Sequence, residues 1–338
     1  MEEVSSNALN KQHKFQFLNG PTAIQPLTKL NKLLNGVEVY VKRDDVMGMG
    51  LAGNKLRKLE YLIGDAIAQK ADLLITSGGL QSNHARLTAV AANYADLDYE
   101  LVLSRPVPID DLEYTENGNI LLEHILEAKI HDLPAGADTQ AFINNRLEEL
   151  KAEGKTPYLV PLGGSSPIGC LGYASCFYEL AAQSKELNIH FDTIIVPNGS
   201  GGTHAGLLAG LTAAKAKDVK IKSYTVLAPL ETAVNTTYEK AAATLKLIDP
   251  ELEIQKDQID IDPRFLGTAY GMPTKEMVNA VKLLAKTEGI FLDPVYSGKA
   301  FAGMLADIEA GHFKKGDRIL FILTGGLPGL FAYRSSFE

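Results

Sequence analysis

The chain has no tryptophan and only two cysteines, Cys170 and Cys176, in 338 residues. Both thiols fall on a stretch that reads as helix, with no further cysteines or histidines at zinc spacing. A disulfide framework and a structural zinc site are therefore not expected, and buried free thiols are. Basic residues are in the minority: 33 Lys and Arg against 41 Asp and Glu give a formal charge of -8 and a pI near 5.5. Binding a phosphate backbone needs a basic face, so no nucleic-acid partner is expected. No apolar run approaches the roughly 18 residues of a membrane span, and the opening MEEVSSNALNKQHK lacks the apolar core of a signal peptide. A cytoplasmic protein with no membrane partner is the expectation. There is no repeat period and no low-complexity tract. What remains, 46% hydrophobic and 22% charged residues, suits a soluble protein with a large core and two domains.

Along the chain, strands and helices alternate. After a Pro-punctuated lead-in, FQFLNGPTAIQPL, the β-branched alternation of Val37 to Asp45 reads as a strand. Gly48 to Gly53 is a flexible loop. Asn54 to Gln69 has apolar residues at Leu56, Leu59, Leu62, Ile63, Ala66 and Ile67, the spacing of an amphipathic helix, with Asn54 as its cap. Further strands are expected at Asp72 to Gly79, Tyr99 to Ser104, PYLVP, TIIVP, Lys222 to Pro229 and RILFILTGG. Helices are expected at His84 to Ala95, Gly118 to Lys129 and Ala141 to Gly154, and from Pro167, capped by Ser166, to about Leu187. Others follow the turn NGSGGT and cover TKEMVNAVKLLAKTEG and SGKAFAGMLADIEAG. Such alternation predicts an α/β fold of parallel sheet covered by helices on both faces. Ligands of these sheets bind beyond the carboxyl ends of the strands. Four strands here end in SGGLQSN, GGSS, NGSGGT and TGG, so one site assembled from several turns is expected.

Lys55 is the residue hardest to place on structural grounds alone. At about 100° per residue it falls roughly 50° from the centre of the apolar stripe, while Arg57 points to the opposite side and Lys58 to the edge. A cation in the first turn also opposes the helix dipole, which lowers the amine's pKa. A desolvated lysine of this kind makes a nucleophilic amine, unless its stem packs along the apolar face and the ammonium snorkels out. Asn198 to Gly206, NGSGGTHAG, follows an apolar strand and reads as a phosphate cup of backbone N–H groups at a helix start. It is not a Walker A loop, and His204 stands where G-x-G-x-x-G needs its last glycine, so a nucleotide is disfavoured. In QSNHAR, Ser82 and Asn83 either cap a helix or bind a carboxylate and a ring oxygen, and His84 reads as a first-turn surface residue. Tyr270 and Tyr296 sit in Gly/Pro-rich loops as packing residues, proton donors or lids. Thr324 places a hydroxyl at the sheet's carboxyl edge. Nucleophilic lysine, phosphate cup, a polar group for a phenolic oxygen and a hydroxyl for a ring nitrogen are together the fittings for pyridoxal phosphate.

The segments VKRDD, GNKLRKLEYL, QSNHAR, NGSGGTHAG, LDPVYSGKAFAGM and LTGGLPGLFAY, in this order from about Gly20 to Tyr333, resemble the fold-type II pyridoxal phosphate enzymes. Within them the chain is similar to the branch containing 1-aminocyclopropane-1-carboxylate deaminase and D-cysteine desulfhydrase. The resemblance implies a two-domain, tryptophan synthase β-like fold. A large cofactor domain would comprise 1–54 and 165–338, and a small domain 55–164. Lys55 would carry the cofactor and move the α-proton. Asn83 would bond the phenolic oxygen and Ser82 the substrate carboxylate, while Gly199, Ser200, Gly201, Gly202 and Thr203 hold the phosphate. Tyr270 and Tyr296 would flank the substrate, and Thr324 would face the pyridine nitrogen. Relatives suggest a homodimer acting on a small amino acid. The deaminases carry a glutamate where Ser297 stands; with Ser297 and Thr324 as hydroxyl partners of the nitrogen, the desulfhydrase pattern is closer. The expected reaction is β-elimination of D-cysteine to pyruvate, ammonia and hydrogen sulfide. Ring-opening deamination, or elimination from another β-substituted alanine such as cysteate, is the alternative.

Overall fold

The structure is a computed structural model describing residues 8–338. The first seven residues, part of the opening stretch and of the expected large domain, lie outside the described residues. Strands β1 (Ile24–Pro26), β2 (Glu38–Lys42), β3 (Leu73–Gly79), β4 (Asp98–Ser104), β5 (Lys129–Asp132), β6 (Pro157–Val160), β7 (Thr193–Asn198), β8 (Lys220–Thr225), β9 (Asp260–Asp262) and β10 (Arg318–Ile322) form two sheets. The larger runs β1-β2-β10-β7-β8-β9 and the smaller β5-β4-β3-β6. Among the described residues only β1 pairs antiparallel, at an edge, where Pro26 costs no ladder bond inside the sheet. The helices are α1 (Lys55–Ala68), α2 (Asn83–Tyr94), α3 (Leu112–Glu116), α4 (Asn119–Ile125), α5 (Thr139–Ala152), α6 (Pro167–Leu187), α7 (Gly202–Ala213), α8 (Leu230–Ile248), α9 (Lys275–Glu288), α10 (Ser297–Glu309) and α11 (Pro328–Ala332).

The parallel α/β architecture follows from continuous apolar strands. Every residue of β7 is buried: Ile194 and Val196 join the cluster under α6 and α7, whereas Ile195 joins the cluster under α10. That alternation is the period of two expected of a strand with helices on both faces. We propose that the domain boundary follows the two sheets, 1–54 with 165–338 around the larger and 55–164 around the smaller. The seam is α1, whose backbone nearly touches α6. A Cβ on Gly172 would lie 2.1 Å from the Arg57 carbonyl oxygen, and one on Gly206 of α7 would lie 2.2 Å from that of Cys170. Glycine at these crossings lets three helices stack backbone to backbone. Cys170 and Cys176 are free and buried there.

Several sequence expectations are corrected. The helix expected to run to Lys129 stops at Ile125, and β5 begins at Lys129. Helix α8, unassigned from sequence, buries Ala233, Thr237, Ala241, Thr244, Leu245 and Ile248, a stripe whose positions before Leu245 are too weakly apolar to stand out. The expected strand to Asp45 stops at Lys42, because Asp44 turns inward. Arg57 does not face solvent. It is 3% exposed, with Nε and Nη2 donating to the two Asp44 carboxylate oxygens at 2.9 Å each and Nη1 donating to Glu179 Oε2 at 2.7 Å. The Tyr173 hydroxyl completes Asp44 at 2.6 Å. From Leu56 to Gly64 helix α1 is buried all round, whereas Ile67, expected on the apolar stripe, is exposed at its end, so a wheel with one wet face misplaces its cations.

Candidate functional site

The carboxyl ends of β3, β7 and β10 face one another across a cavity of about 390 Å³. Every residue named from the sequence as a site residue, from Lys55 to Thr324, lies on its wall; Ser297 does not.

Lys55 is placed by a close approach of two turns. Gly53 has φ +125°, and a Cβ on it would lie 2.9 Å from the Thr324 carbonyl oxygen, which accepts the Asn54 N–H at 3.1 Å. Asn54 is not the side-chain cap expected. Its backbone is already helical (φ -53°, ψ -18°), so its amide cannot fold back, and instead it donates to Thr203 Oγ1 at 3.0 Å. The lysine helix is thereby tied to both the β10 turn and the β7 turn. Burial lowers the Lys55 amine to about 8, with Asp293 opposing the shift.

The turn after β7 forms the cup. Gly201 sits at φ +80° before α7, and a Cβ on Gly202 would lie 2.4 Å from Ser165 Oγ and 2.9 Å from Lys58 Nζ. Lys58, expected at a helix edge, is 1% exposed and lines the cavity, donating to Ser165 Oγ at 2.9 Å and to the Gly163 carbonyl at 3.2 Å. Ser165 and Ser200 hydroxyls pair at 2.6 Å, and Lys240 donates to the Ser200 carbonyl at 2.6 Å. Burial, then the nearby Lys55, pushes the Lys58 ammonium well below the usual lysine range. Buried lysine amines, clustered glycines and the N-terminus of α7 converge on one place, an arrangement that suits an anion.

On the wall formed by α2, Ser82 caps the helix, accepting the Ala85 N–H at 3.1 Å, and its O–H remains able to donate. Asn83 Oδ1 accepts from Asn119 Nδ2 at 3.0 Å. His84 is not a surface residue: it is 3% exposed, with Nε2 2.9 Å from Thr76 Oγ1, which donates to the Val160 carbonyl. Burial, with Lys55 and Lys58 nearby, keeps its imidazole well below the ordinary histidine range and neutral. Across the cavity, the Tyr270 and Tyr296 hydroxyls bond at 2.6 Å, and burial raises both phenols above their usual range. A pair this hard to ionise holds protons that it can share but does not readily lose.

Ser297 departs from expectation. It is fully buried, its Oγ donating to Asp293 Oδ1 at 2.6 Å and accepting the Asp293 N–H at 2.9 Å. Asp293 also accepts N–H bonds from Val295, Tyr296 and Ser297 at 2.6–2.8 Å. Ser297 therefore organises the start of α10, and Thr324 is left as the hydroxyl facing the cavity at this end. Lys58, Ser165 and Asp293 are the residues the sequence reading missed. A lysine one turn after Lys55 and a serine in the GGSS turn carried a signal for the first two.

A nucleophile-ready amine, an anion cup and a neutral hydroxyl-rich wall across the ends of parallel strands define an α/β enzyme for a phosphorylated aldehyde cofactor. Comparison with known proteins narrows the class. Residues 15–325 match the family described as "Pyridoxal-phosphate dependent enzyme", and the chain belongs to that family. It is 40% identical to "D-cysteine desulfhydrase" of Serratia proteamaculans over 330 residues, 97% of this chain and 98% of that one. It is 39% identical to "Putative 1-aminocyclopropane-1-carboxylate deaminase" of Pyrococcus furiosus over 335 residues, 98% of each. Among solved structures, "Crystal Structure Analysis of the ACC deaminase homologue" superposes with a TM-score of 0.90 at 36% identity, covering 100% of this chain and 99% of that one.

The wall suits pyridoxal phosphate on its own terms. Lys55 and the cup lie on one cavity, the cup leaves no room for a Cβ at Gly202, and Lys58 lacks a carboxylate partner among the described residues.

Proposed function

We propose that the chain is a pyridoxal phosphate lyase that eliminates the β-substituent of D-cysteine, releasing pyruvate, ammonia and hydrogen sulfide. The observation that carries this reading is that, among the described residues, no Asp or Glu lines the cavity. Bound pyridoxal phosphate withdraws electrons from the α-carbon of an amino acid, most strongly when a carboxylate keeps its pyridine nitrogen protonated. With Thr324 as the hydroxyl at that end, a moderate electron sink suits departure of a thiolate better than cleavage of a ring carbon–carbon bond. The relatives at 40% and 41% identity that bear the desulfhydrase name support the same choice, and chirality is taken from that name alone.

In this reading Lys55 holds the cofactor and its amine takes the α-proton. Gly199 to Thr203, with Lys58, hold the phosphate; Asn83 donates to the phenolic oxygen and Thr324 faces the nitrogen. The Ser82 hydroxyl and the N–H groups opening α2 bind the substrate carboxylate. The Tyr270 and Tyr296 hydroxyls donate hydrogen bonds to the leaving sulfur, without giving up their protons, while their rings exclude water. Ring-opening deamination is the second reading, favoured by the 39% relative and by the solved structure of 36% identity. Product analysis with D- and L-cysteine, β-chloroalanine, cysteate and the cyclopropane amino acid tests the choice. Pyruvate and sulfide from D-cysteine are expected; 2-oxobutyrate from the cyclopropane substrate as the main product would hand the assignment to the deaminase.

Gly202→Ala is expected to weaken pyridoxal phosphate binding by roughly 10–100-fold, since its methyl would stand 2.4 Å from Ser165 Oγ at the floor of the cup. Equilibrium dialysis of apoprotein checks this, and unchanged affinity would place the phosphate elsewhere. A homodimer is proposed as well. Leu112, Ile125 and Phe331 are 71%, 68% and 58% exposed on α3, α4 and α11, which pack on one another and supply an apolar face. Sedimentation velocity of the holoenzyme tests it. Among the described residues no helix is long and apolar enough to cross a membrane.

A further inference from the structure

We propose that Asn119, held between Arg86 and Gln81, is a positioning residue that fixes the side-chain amide of Asn83 with its oxygen turned away from the cavity and its NH2 turned towards it. This rests on the reading of Asn83 as the partner of the cofactor's phenolic oxygen, and it identifies what keeps that partner a donor.

An asparagine amide presents an acceptor and a donor of nearly equal shape, and a free one can turn over. Toward an anionic oxygen only one of the two faces is useful. The chain of contacts behind Asn83 ends in groups that leave no choice. Arg86 Nε donates to Asn119 Oδ1 at 2.7 Å, and a guanidinium has no acceptor, so the Asn119 atom facing it is the oxygen. The other face of Asn119, Nδ2, donates to the Gln81 carbonyl at 3.2 Å and to Asn83 Oδ1 at 3.0 Å. A carbonyl has no donor, so that end is also fixed. Asn83 Oδ1 is thereby occupied, and its NH2 is the part left for the cavity.

The anchor is itself locked. Gln81 Oε1 accepts the Asn119 N–H at 2.9 Å, while Gln81 Nε2 donates to the Tyr114 and Asn117 carbonyls at 2.6 and 2.9 Å. Space for this comes from Gly118, at φ +66°, where a Cβ would lie 2.6 Å from Gln81 Oε1. Asn119 is 0% and Arg86 1% exposed, so water does not compete for these bonds. Burial lowers the Arg86 guanidinium only to about 10, with Glu123 opposing the shift, and it remains a cation at neutral pH. The relay therefore runs from a permanent donor, through one amide, to the amide that faces the cofactor.

Asn119→Asp reverses the last link. Aspartate keeps an acceptor for Arg86 but presents a second acceptor to Asn83, whose NH2 then turns away and leaves Oδ1 facing the phenolic oxygen. A donor on that oxygen favours its anionic form and lowers the pH at which the visible band of bound pyridoxal phosphate titrates. The expected result for Asn119→Asp is a rise in that titration of roughly one pH unit, the size of one charge-assisted hydrogen bond. Asn119→Ala, which frees Asn83 without repelling it, should give a smaller rise, and it carries the test should the aspartate variant fail to fold. In an Asn83→Ala background the effect of either change should vanish, because the relay acts through Asn83 alone. An unmoved titration, or an equal shift with and without Asn83, overturns the proposal. Wild-type protein without a visible band overturns the cofactor reading first, and this proposal with it, before any substitution is made.

Discussion

Lys55→Ala is expected to abolish covalent capture of pyridoxal phosphate and to lower D-cysteine turnover by more than about 10⁴-fold, since in the proposed function one amine both holds the cofactor and moves the α-proton. Lys55→Arg should not rescue, because a guanidinium stays protonated and cannot act as a nucleophile. Burial sets a second, graded signature. With the amine at about 8 rather than the ordinary 10.5, the neutral fraction at pH 7 is about 300-fold larger. The rate at which apoprotein recaptures the cofactor should therefore climb through pH 8 and level off above it. Borohydride reduction followed by peptide mapping checks the attachment. Lys58 is the natural competitor, being buried on the same wall and also depressed. Its Nζ, however, is engaged by Ser165 and Gly163 at the floor of the cup, where an anion belongs. A tag on Lys58, or a recapture rate still rising at pH 10, would remove Lys55 from its role.

The inward placement of Lys55 on the cavity wall was legible in the sequence for a reason that failed two residues later. Its position against an apolar stripe and at the wrong end of a helix dipole is a local property, and local properties survive folding. The same wheel put Arg57 in solvent, because a wheel assumes one wet face, and α1 has α6 on one side and α2 on another. The turns were legible because glycine clusters after apolar strands have few other uses, and parallel strands because their apolar runs are unbroken. Helix α8 was not, since threonine and alanine fill its buried positions up to Thr244 and only Leu245 and Ile248 in its last turn are strongly apolar, and neither was β5, whose residues KIHD bury little. Ser297 marks a different limit. Its place beside Tyr296 suggested a hydroxyl in the site, but at the start of α10 the nearer acceptor is the Asp293 carboxylate, and the hydroxyl goes there. Chain order places a residue near a site; which way its last atom turns depends on partners distant in sequence.

Arg57→Leu is expected to cost about 3–5 kcal/mol, because it strands a buried carboxylate rather than merely removing a pair. Asp44 is 0% exposed and would keep only neutral partners at hydrogen-bond distance, Thr22 and Tyr173, while Glu179 would retain Lys42. For a chain of this size, with an unfolding entropy of about 0.7 kcal/mol/K, the midpoint of thermal unfolding should fall by roughly 4–7 °C. The pH dependence identifies the cause. Burial alone would raise the Asp44 carboxyl, but Arg57 overcomes it and holds the group below its ordinary value of 3.8. In the wild type that contribution is present above pH 3.8 and is lost as the pH falls through the lower folded value. In Arg57→Leu the sign reverses: burial wins, the folded carboxyl titrates above its unfolded value, and the folded state gains a proton on acidification. The gap between variant and wild type should then be widest near pH 8 and narrow steadily towards pH 5. Thermal melts across that range measure it, and Asp44→Asn in the Arg57→Leu background should recover part of the loss at neutral pH. A deficit of constant size from pH 8 to 5, unrelieved by Asp44→Asn, would assign the loss to packing around a shorter side chain and not to a stranded charge.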